Sequence, residues 1–186
     1  TGSVVISRVD FGELLASVTY PSYDTNEFSN NFNNSYYIDL LHRASTTPLV
    51  NRPMSERKAP GSTFKMIPAL AALELGLITP SSTIMDLGYF TKAGKPYPKC
   101  WIYGSSGATH RAVNVAHALE VSCNYFFYEL AYRLGNSANG TTEQGISTLN
   151  EYMAAFGLND KTGIEIGESA PMMATPTNKE RSIRAI

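Results

Sequence analysis

The sharpest chemical pattern in the sequence is Ser62-Thr63-Phe64-Lys65, which opens a segment with helical spacing of apolar residues. Residues three positions apart share one face of a helix, so we expect the Ser62 hydroxyl and the Lys65 amine to lie within hydrogen-bonding distance. A serine hydroxyl becomes a nucleophile near neutral pH only when a base removes its proton. Lys65 can be that base if partial burial and the positive end of the helix dipole lower its pKa. The helix N-terminus also offers backbone N–H groups to an oxyanion.

The same pattern has a purely structural interpretation, with Ser62 as the helix N-cap and Lys65 as a solvated residue of the first turn. A second element is therefore needed to support the chemistry. Ser122-Cys123-Asn124 lies in the break between two predicted helices, where a hydroxyl and an amide can both point into a cleft. Its structural alternative is that Ser122 caps the following helix and Asn124 satisfies the loop backbone.

Together, residues 60–65 (PGSTFK) and 122–124 (SCN) resemble the transpeptidase domain of penicillin-binding proteins. The resemblance is closest to the class B, elongation-type peptidoglycan D,D-transpeptidases and covers residues 1–170. It implies that Ser62 attacks the D-Ala-D-Ala bond of a peptidoglycan stem peptide, or a β-lactam that mimics it, to form an acyl-enzyme. It also implies Lys65 as the base, Ser122 as the proton relay to the leaving amine and Asn124 as the positioning amide. The resemblance implies neither a cofactor nor a metal.

The resemblance also implies an α+β fold of the β-lactamase/transpeptidase type, in which a helical subdomain flanks an antiparallel sheet. Two β-rich runs around a Gly-containing turn predict a hairpin over residues 1–20. Residues 21–60 are interpreted as a polar loop region with one short helix near 36–42. Residues 61–170 are expected to form a mostly helical subdomain that carries the active-site serine, and residues 171–186 a tail that leads to missing strands.

Apolar periodicity predicts the individual helices of the helical subdomain. In the first of them Pro68 is expected to kink the helix or to make its first turn irregular, and Gly76 to end it. Between the first two helices we expect loops and one short strand pair. The predicted helices cover 64–75, with Ser62 at the cap position, 113–119, 125–134 and 146–156, and the loop region covers 79–110.

The triplet Lys161-Thr162-Gly163 matches the letters of the family's third motif, but its surroundings differ from those of that motif. It follows a helix stop at Gly157, and residues 164–168 resemble a family segment that lies away from the catalytic triplet. We therefore interpret the triplet as a decoy. On this interpretation the chain is the N-terminal portion of the domain and ends before the functional triplet.

Composition excludes several classes of protein. The chain has 186 residues, a net charge of −1 and 17% charged residues, which argues against a disordered chain and against phosphate neutralisation in nucleic-acid binding. No apolar run of about 18 residues is present. The resemblance implies an extracytoplasmic bacterial domain whose membrane anchor is absent from this sequence and whose parent protein has a cell-wall elongation partner.

The other chemically capable residues are given structural interpretations. His42, His110 and His117 lack metal-ligand spacing and are interpreted as surface or loop residues. Cys123 is interpreted as a small packed residue, and its pairing with Cys100 is left open.

Three functional alternatives remain open. A serine β-lactamase of the same fold is disfavoured, because Ile146 stands where its deacylating glutamate is expected. A β-lactam sensor would be acylated without turnover. A non-catalytic fragment would lack the strand that carries the third motif.

Overall fold

The structure is a computed structural model, and it describes residues 1–29, 31–136 and 142–175. The chain divides into two compact units. The first unit comprises residues 1–58 and 161–171, and the second comprises residues 59–160 and 172–186. The residues expected to carry chemistry at 62, 65, 122 and 124 all belong to the second unit.

The first unit begins with the hairpin that the sequence predicts. Strands β1 (Gly2–Ser7) and β2 (Leu14–Tyr20) pair antiparallel, with Val4 opposite Val18. Gly12 has a φ of +68° in the connecting turn, a conformation that glycine adopts without steric cost. The β-branched and apolar residues of both strands favour the extended conformation.

Three short helices follow the hairpin in the described part of the first unit, where the sequence predicts only one. They are α1 (Asn26–Ser29), α2 (Asn34–His42) and α3 (Arg52–Ser55). Helix α2 confirms the predicted helix, and the Asn33 side chain caps it by accepting the Tyr36 N–H. Helices α1 and α3 have a single turn each, too short for apolar periodicity to reveal them. Arg52 of α3 is buried and donates to the carbonyl oxygens of Thr46 and Thr47.

The second unit packs helices around a small antiparallel strand pair. Its core is formed by apolar side chains from several of the helices, the two strands and the loops between them, including Ile84, Phe90, Val113, Phe126 and Leu130. The elements in chain order are α4 (Met66–Glu74), β3 (Ile84–Asp86), α5 (Trp101–Ser106), β4 (Arg111–Val113), α6 (Val115–Glu120), α7 (Asn124–Gly135) and α8 (Thr142–Ala155).

The segment before α4 departs from a regular α-helix, as the position of Pro68 predicts. Residues Gly61–Lys65 form a 3-10 turn, and the α-helix begins only at Met66. Proline has no N–H to donate to the carbonyl four residues earlier, so it is tolerated only in the first turn of an α-helix. The interpretation of Ser62 as an N-cap is wrong, because Ser62 lies inside the 3-10 turn and the N-cap position is Pro60.

The remaining predicted elements of the second unit are present with shifted ends. Helices α6, α7 and α8 correspond to the three helices predicted after residue 112, and the strand pair β3–β4 joins Ile84 to Val113. Helix α5 was not predicted. Its sequence, WIYGSS, contains one glycine and two serines, which are weak helix formers, and the αL residue Gly107 ends it.

An ion cluster around one buried carboxylate fixes α7 within the second unit. The Glu129 carboxylate is almost fully buried and accepts from Lys92 Nζ at 2.8 Å and from Arg133 Nε at 3.0 Å. Arg133 also donates to the carbonyl of Leu77 at 3.3 Å. A buried carboxylate needs such partners, because an unpaired charge in the interior is costly. This anchoring fixes the helix whose first residue is Asn124.

Candidate active site

The 3-10 turn places Ser62 and Lys65 on one side of the segment. In a 3-10 helix with three residues per turn, the side chains of residues i and i+3 eclipse each other. Ser62 is exposed, whereas Lys65 is partly buried. The Ser62 Oγ accepts a hydrogen bond at 2.8 Å from the hydroxyl of Ser122, which lies 60 residues further along the chain.

The Ser122-Cys123-Asn124 segment forms the tight turn between α6 and α7. Ser122 adopts a φ of +52°, a left-handed conformation that non-glycine residues rarely take. The N–H groups of Ser122 and Cys123 donate to Leu119 O at 3.2 Å and to Ala118 O at 2.9 Å. The turn therefore folds back on the end of α6 and directs the Ser122 hydroxyl towards Ser62.

Lys65 connects the two motifs through three hydrogen bonds. Its Nζ donates to Ser122 Oγ at 2.9 Å, to Ser122 O at 2.8 Å and to Asn124 Oδ1 at 2.7 Å. An ammonium group has three N–H donors, so these bonds satisfy all of them. The ring of Phe127, one helical turn after Asn124, lies 5.4 Å from Nζ. The connection between Ser62 and Lys65 therefore runs through the Ser122 hydroxyl.

The environment of Lys65 shifts its protonation equilibrium towards the neutral amine. Burial lowers the pKa of the Lys65 ammonium below the ordinary lysine value, while the thiols of Cys123 and Cys100 act in the opposite direction. Removing an ammonium from water disfavours the charged state. The net lowered pKa increases the fraction of Lys65 that can accept a proton near neutral pH.

The Lys161-Thr162-Gly163 triplet lies in the first unit and is not part of a strand. Its polar groups are engaged locally by Glu168, whose carboxylate accepts from Thr162 Oγ1 at 3.0 Å and from the Gly163 N–H at 3.1 Å. Because the family's third motif lies on a strand, this conformation favours the interpretation of the triplet as a decoy.

A second cluster of reactive side chains lies directly behind the Ser122 turn. Asp86, Cys100, His110 and Cys123 each offer one ligand atom, and these atoms all lie within 4.8 Å of one another. The His110 Nδ1 lies 2.9 Å from Asp86 Oδ2, and the two sulfur atoms are 3.9 Å apart. Sulfur, imidazole nitrogen and carboxylate oxygen are the donors that Zn²⁺ takes in four-coordinate protein sites. These four residues could therefore hold a divalent metal ion.

This cluster corrects the sequence-based interpretation of His110. His110 lies in a loop, as one part of that interpretation predicts, but its side chain is only 6% exposed and contacts both a carboxylate and a thiol. His42 and His117 are exposed, as expected. Cys123 is buried as expected, but it packs against Asp86 and Cys100 rather than against apolar side chains alone. Both cysteines are free thiols.

Burial affects the acidic groups of the cluster in different ways. Burial raises the pKa of the Cys123 thiol to about 12. Burial also acts to raise the pKa of Asp86, but hydrogen bonds donated by His110 and by the Gly88 N–H outweigh it, and the net pKa of Asp86 is lowered. Asp86 is therefore a buried carboxylate that accepts hydrogen bonds from the groups around it.

Comparison with known proteins places this geometry in a family. The chain matches the family model of the penicillin binding protein transpeptidase domain over residues 2–183. The chain belongs to this family. The family and the α+β transpeptidase fold predicted from the sequence are thereby confirmed.

Individual relatives support the same assignment. The chain is 36% identical over 168 residues to the peptidoglycan D,D-transpeptidase MrdA of Escherichia coli K12, an alignment that covers 89% of the chain and 24% of the relative. It is similar to PBP2 of Helicobacter pylori, solved in complex with MreC, with a TM-score of 0.79 and 25% identity over 98% of the chain and 31% of that protein. It is also similar to penicillin-binding protein A of Mycobacterium tuberculosis, solved as a ceftriaxone acyl-enzyme complex, with a TM-score of 0.72 and 29% identity over 91% of the chain and 37% of that protein.

The chain spans about a quarter of the length of the curated transpeptidase that it matches. Within the part of the chain that the structure describes, no helix is long and apolar enough to cross a membrane.

Proposed function

We propose that this transpeptidase-family protein is a peptidoglycan D,D-transpeptidase that acts through a serine acyl-enzyme, with Ser62 as the nucleophile. The observation that carries the proposal is the hydrogen-bond chain from Ser62 Oγ through Ser122 Oγ to Lys65 Nζ. It joins a candidate nucleophile to a candidate base with a lowered pKa. The acyl-enzyme structure of the M. tuberculosis relative supports a covalent step of this kind.

In the acylation step, the Ser62 oxygen attacks the carbonyl carbon of the D-Ala-D-Ala peptide bond. The Ser62 proton passes to Ser122 Oγ while the Ser122 proton passes to neutral Lys65, so one proton moves from the nucleophile to the base. An ester forms between Ser62 and the penultimate D-alanine, and the C–N bond to the terminal D-alanine breaks. Lys65 returns its proton through Ser122 to the leaving amine.

Asn124 is proposed to hold both the base and the substrate. Its side-chain oxygen accepts from Lys65, so its amide NH₂ group is left to donate to a substrate carbonyl. In the second half-reaction, the amine of a neighbouring stem peptide attacks the ester carbonyl, so that a new peptide bond forms and the ester C–O bond to Ser62 breaks. The amine proton passes through Ser122 to Lys65 and returns through Ser122 to Ser62 Oγ.

The substrate, inhibitors and partners follow as proposals from the family. The substrate is the stem peptide of peptidoglycan, and β-lactams acylate Ser62 because they mimic its terminal D-Ala-D-Ala. The H. pylori relative in complex with MreC supports an elongation partner for this protein as well. We propose the extracytoplasmic face of the bacterial membrane as its location and propose no role in nucleic-acid binding. Residues 1–20, 21–60, 61–170 and 171–186 are proposed to be parts of one transpeptidase domain.

A fluorescent penicillin tests the proposal directly. The purified chain and its Ser62→Ala variant are incubated with the reagent, and the covalent label is measured by denaturing gel and intact mass. The Ser105→Ala variant is the matched control, because the Ser105 hydroxyl donates only to a carbonyl of its own helix. We expect one label on the parent and on the control, and none on the Ser62 variant.

The outcomes separate the functional alternatives. A label that persists for hours supports a transpeptidase or a sensor, whereas rapid release of hydrolysed penicillin would indicate a β-lactamase. A label that remains on the Ser62→Ala variant would refute Ser62 as the nucleophile. An unlabelled parent that circular dichroism shows to be folded would refute acylation by this chain.

A further inference from the structure

The backbone conformation of Ser122 must be held by contacts with other residues, because serine does not favour it. Its φ of +52° costs free energy for a residue with a Cβ atom and persists only where the surroundings hold it. Its hydroxyl must nevertheless stay within hydrogen-bonding distance of both Ser62 and Lys65. The peptide plane that precedes Ser122 sets φ at this residue, so the atoms that bind this plane control where the hydroxyl points.

Both polar groups of this peptide plane are bound. The Ser122 N–H donates to Leu119 O at 3.2 Å, at the long end of the range for such bonds. The carbonyl oxygen of Val121 accepts a hydrogen bond from Trp101 Nε1 at 3.0 Å. Trp101 is therefore the side chain that restrains the peptide plane from outside the α6–α7 turn.

Trp101 is itself held in place by rigid neighbours. It is the first residue of α5 and follows Cys100, whose N–H donates to Gly88 O at 2.7 Å in the core. Its indole ring lies against the His110 ring, with centroids 5.6 Å apart, and His110 is bound by Asp86. Although 51% of Trp101 is exposed, the orientation of its N–H is fixed by these contacts.

We propose that Trp101 is a positioning residue for the Ser122 proton relay. By binding the carbonyl of Val121, it keeps Ser122 in the left-handed conformation and keeps its hydroxyl between the nucleophile and the base. The catalytic part of this inference rests on the function proposed above. Trp101 does not contact Ser62 or Lys65 in the described hydrogen bonds, and it acts through the backbone of its neighbour.

The experiment removes the indole N–H and leaves the ring. Trp101 is the single tryptophan of the chain, so replacing tryptophan with its sulfur isostere benzothienylalanine during expression changes this residue alone. Trp101→Phe is the genetic variant, which removes the N–H together with part of the ring, so the isostere is the cleaner test of the N–H. Tyr103→Phe, which removes a hydroxyl from the same helix, is the control. We expect the maximal rate of acylation by fluorescent penicillin to fall about 10- to 100-fold, as for a catalytic group displaced by up to about 1 Å. The half-saturating penicillin concentration is expected to change less than about 2-fold.

A double-variant comparison distinguishes positioning from general structural damage. If Trp101 acts through the Ser122 hydroxyl, Trp101→Phe should have little further effect in a Ser122→Ala background, because residues that act as a unit are not additive. An equal loss in both backgrounds would overturn the proposal. So would a Trp101→Phe variant that is acylated as fast as the parent.

Hydrogen exchange of the single indole N–H tests the inference without using activity. We expect slow exchange despite the exposed ring, and we expect the Ser122 amide to lose protection in the Trp101→Phe variant. Fast indole exchange would overturn the inference. If penicillin does not label the parent but both exchange results hold, the proposed function fails and the restraint of Ser122 by Trp101 stands.

Discussion

Replacing Ser122 with alanine tests whether protons leave Ser62 through a relay. The substitution removes the one oxygen that contacts both Ser62 Oγ, at 2.8 Å, and Lys65 Nζ, at 2.9 Å. Lys65 keeps its hydrogen bonds to Ser122 O and Asn124 Oδ1, so it stays in place without a path to the nucleophile. The variant therefore removes the proton relay while it keeps the hydrogen bonds that hold Lys65 in place.

The expected magnitudes separate a catalytic effect from a stability effect. A positioned acid–base group contributes about 10²- to 10⁴-fold to a rate, equivalent to about 3 to 5 kcal/mol of activation free energy. The loss of hydrogen bonds from one hydroxyl that is not fully buried should cost only about 1 to 2 kcal/mol of unfolding free energy. We therefore expect slow acylation by a chain that remains folded.

The assay measures acylation time courses with fluorescent penicillin alongside urea unfolding for the parent, Ser122→Ala, Lys65→Met and the double variant. Because the relay and the base act as one unit, the double variant should be acylated no more slowly than the slower single variant. Acylation of Ser122→Ala within about 3-fold of the parent rate would refute the relay. It would mean that Lys65 takes the proton from Ser62 directly.

Three further perturbations have defined outcomes. Because burial lowers the pKa of Lys65, the acylation rate should rise with pH and level off below the pKa of an exposed lysine. Between the pKa of Lys65 in the folded chain and its higher pKa in the unfolded chain, the unfolded chain binds one more proton. The unfolding free energy should therefore rise with pH in that range. Zn²⁺ should bind with micromolar or tighter affinity by isothermal titration and raise the unfolding temperature, an effect that Cys123→Ser weakens and the exposed-site control His117→Gln does not. Arg52→Met should lower the unfolding free energy by about 1 to 3 kcal/mol, since it removes the hydrogen bonds that the buried guanidinium donates to the carbonyls of Thr46 and Thr47, whereas Arg43→Met at an exposed ion pair should change it by less than about 1 kcal/mol.

The sequence predicts the four residues of the candidate active site because each pair is local. Ser62 and Lys65 are separated by one turn, and Ser122 and Asn124 flank one residue, so short-range spacing is enough to indicate them. The hydrogen bonds that join Ser62 and Lys65 to Ser122 are tertiary contacts, which residue spacing cannot predict. They became an expectation only through the resemblance to transpeptidases.

The polar cluster behind the turn was missed for the same physical reason. Asp86 ends β3, Cys100 precedes α5, His110 precedes β4 and Cys123 precedes α7, so each ligand comes from a different element. Metal sites are recognised from sequence when two ligands lie within a few residues on one element, and here none do. One signal in the sequence was available. Cys123 lies between Ser122 and Asn124, so a thiol must lie beside the active site wherever this motif forms it.

Pro68 shows how one residue outside the active site sets the geometry within it. Because Pro68 has no N–H, the carbonyl of Phe64 cannot receive the α-helical hydrogen bond from position 68, and the chain before Met66 takes the tighter 3-10 turn. In an α-helix, residues 62 and 65 would lie about 60° apart around the axis, whereas in the 3-10 turn they eclipse. The eclipsed arrangement leaves both side chains facing the same neighbour, and that neighbour is the Ser122 hydroxyl. The irregular turn, which a propensity argument treats as a defect of the helix, is thus the local structure that lets one hydroxyl bind the nucleophile and the base at the same time.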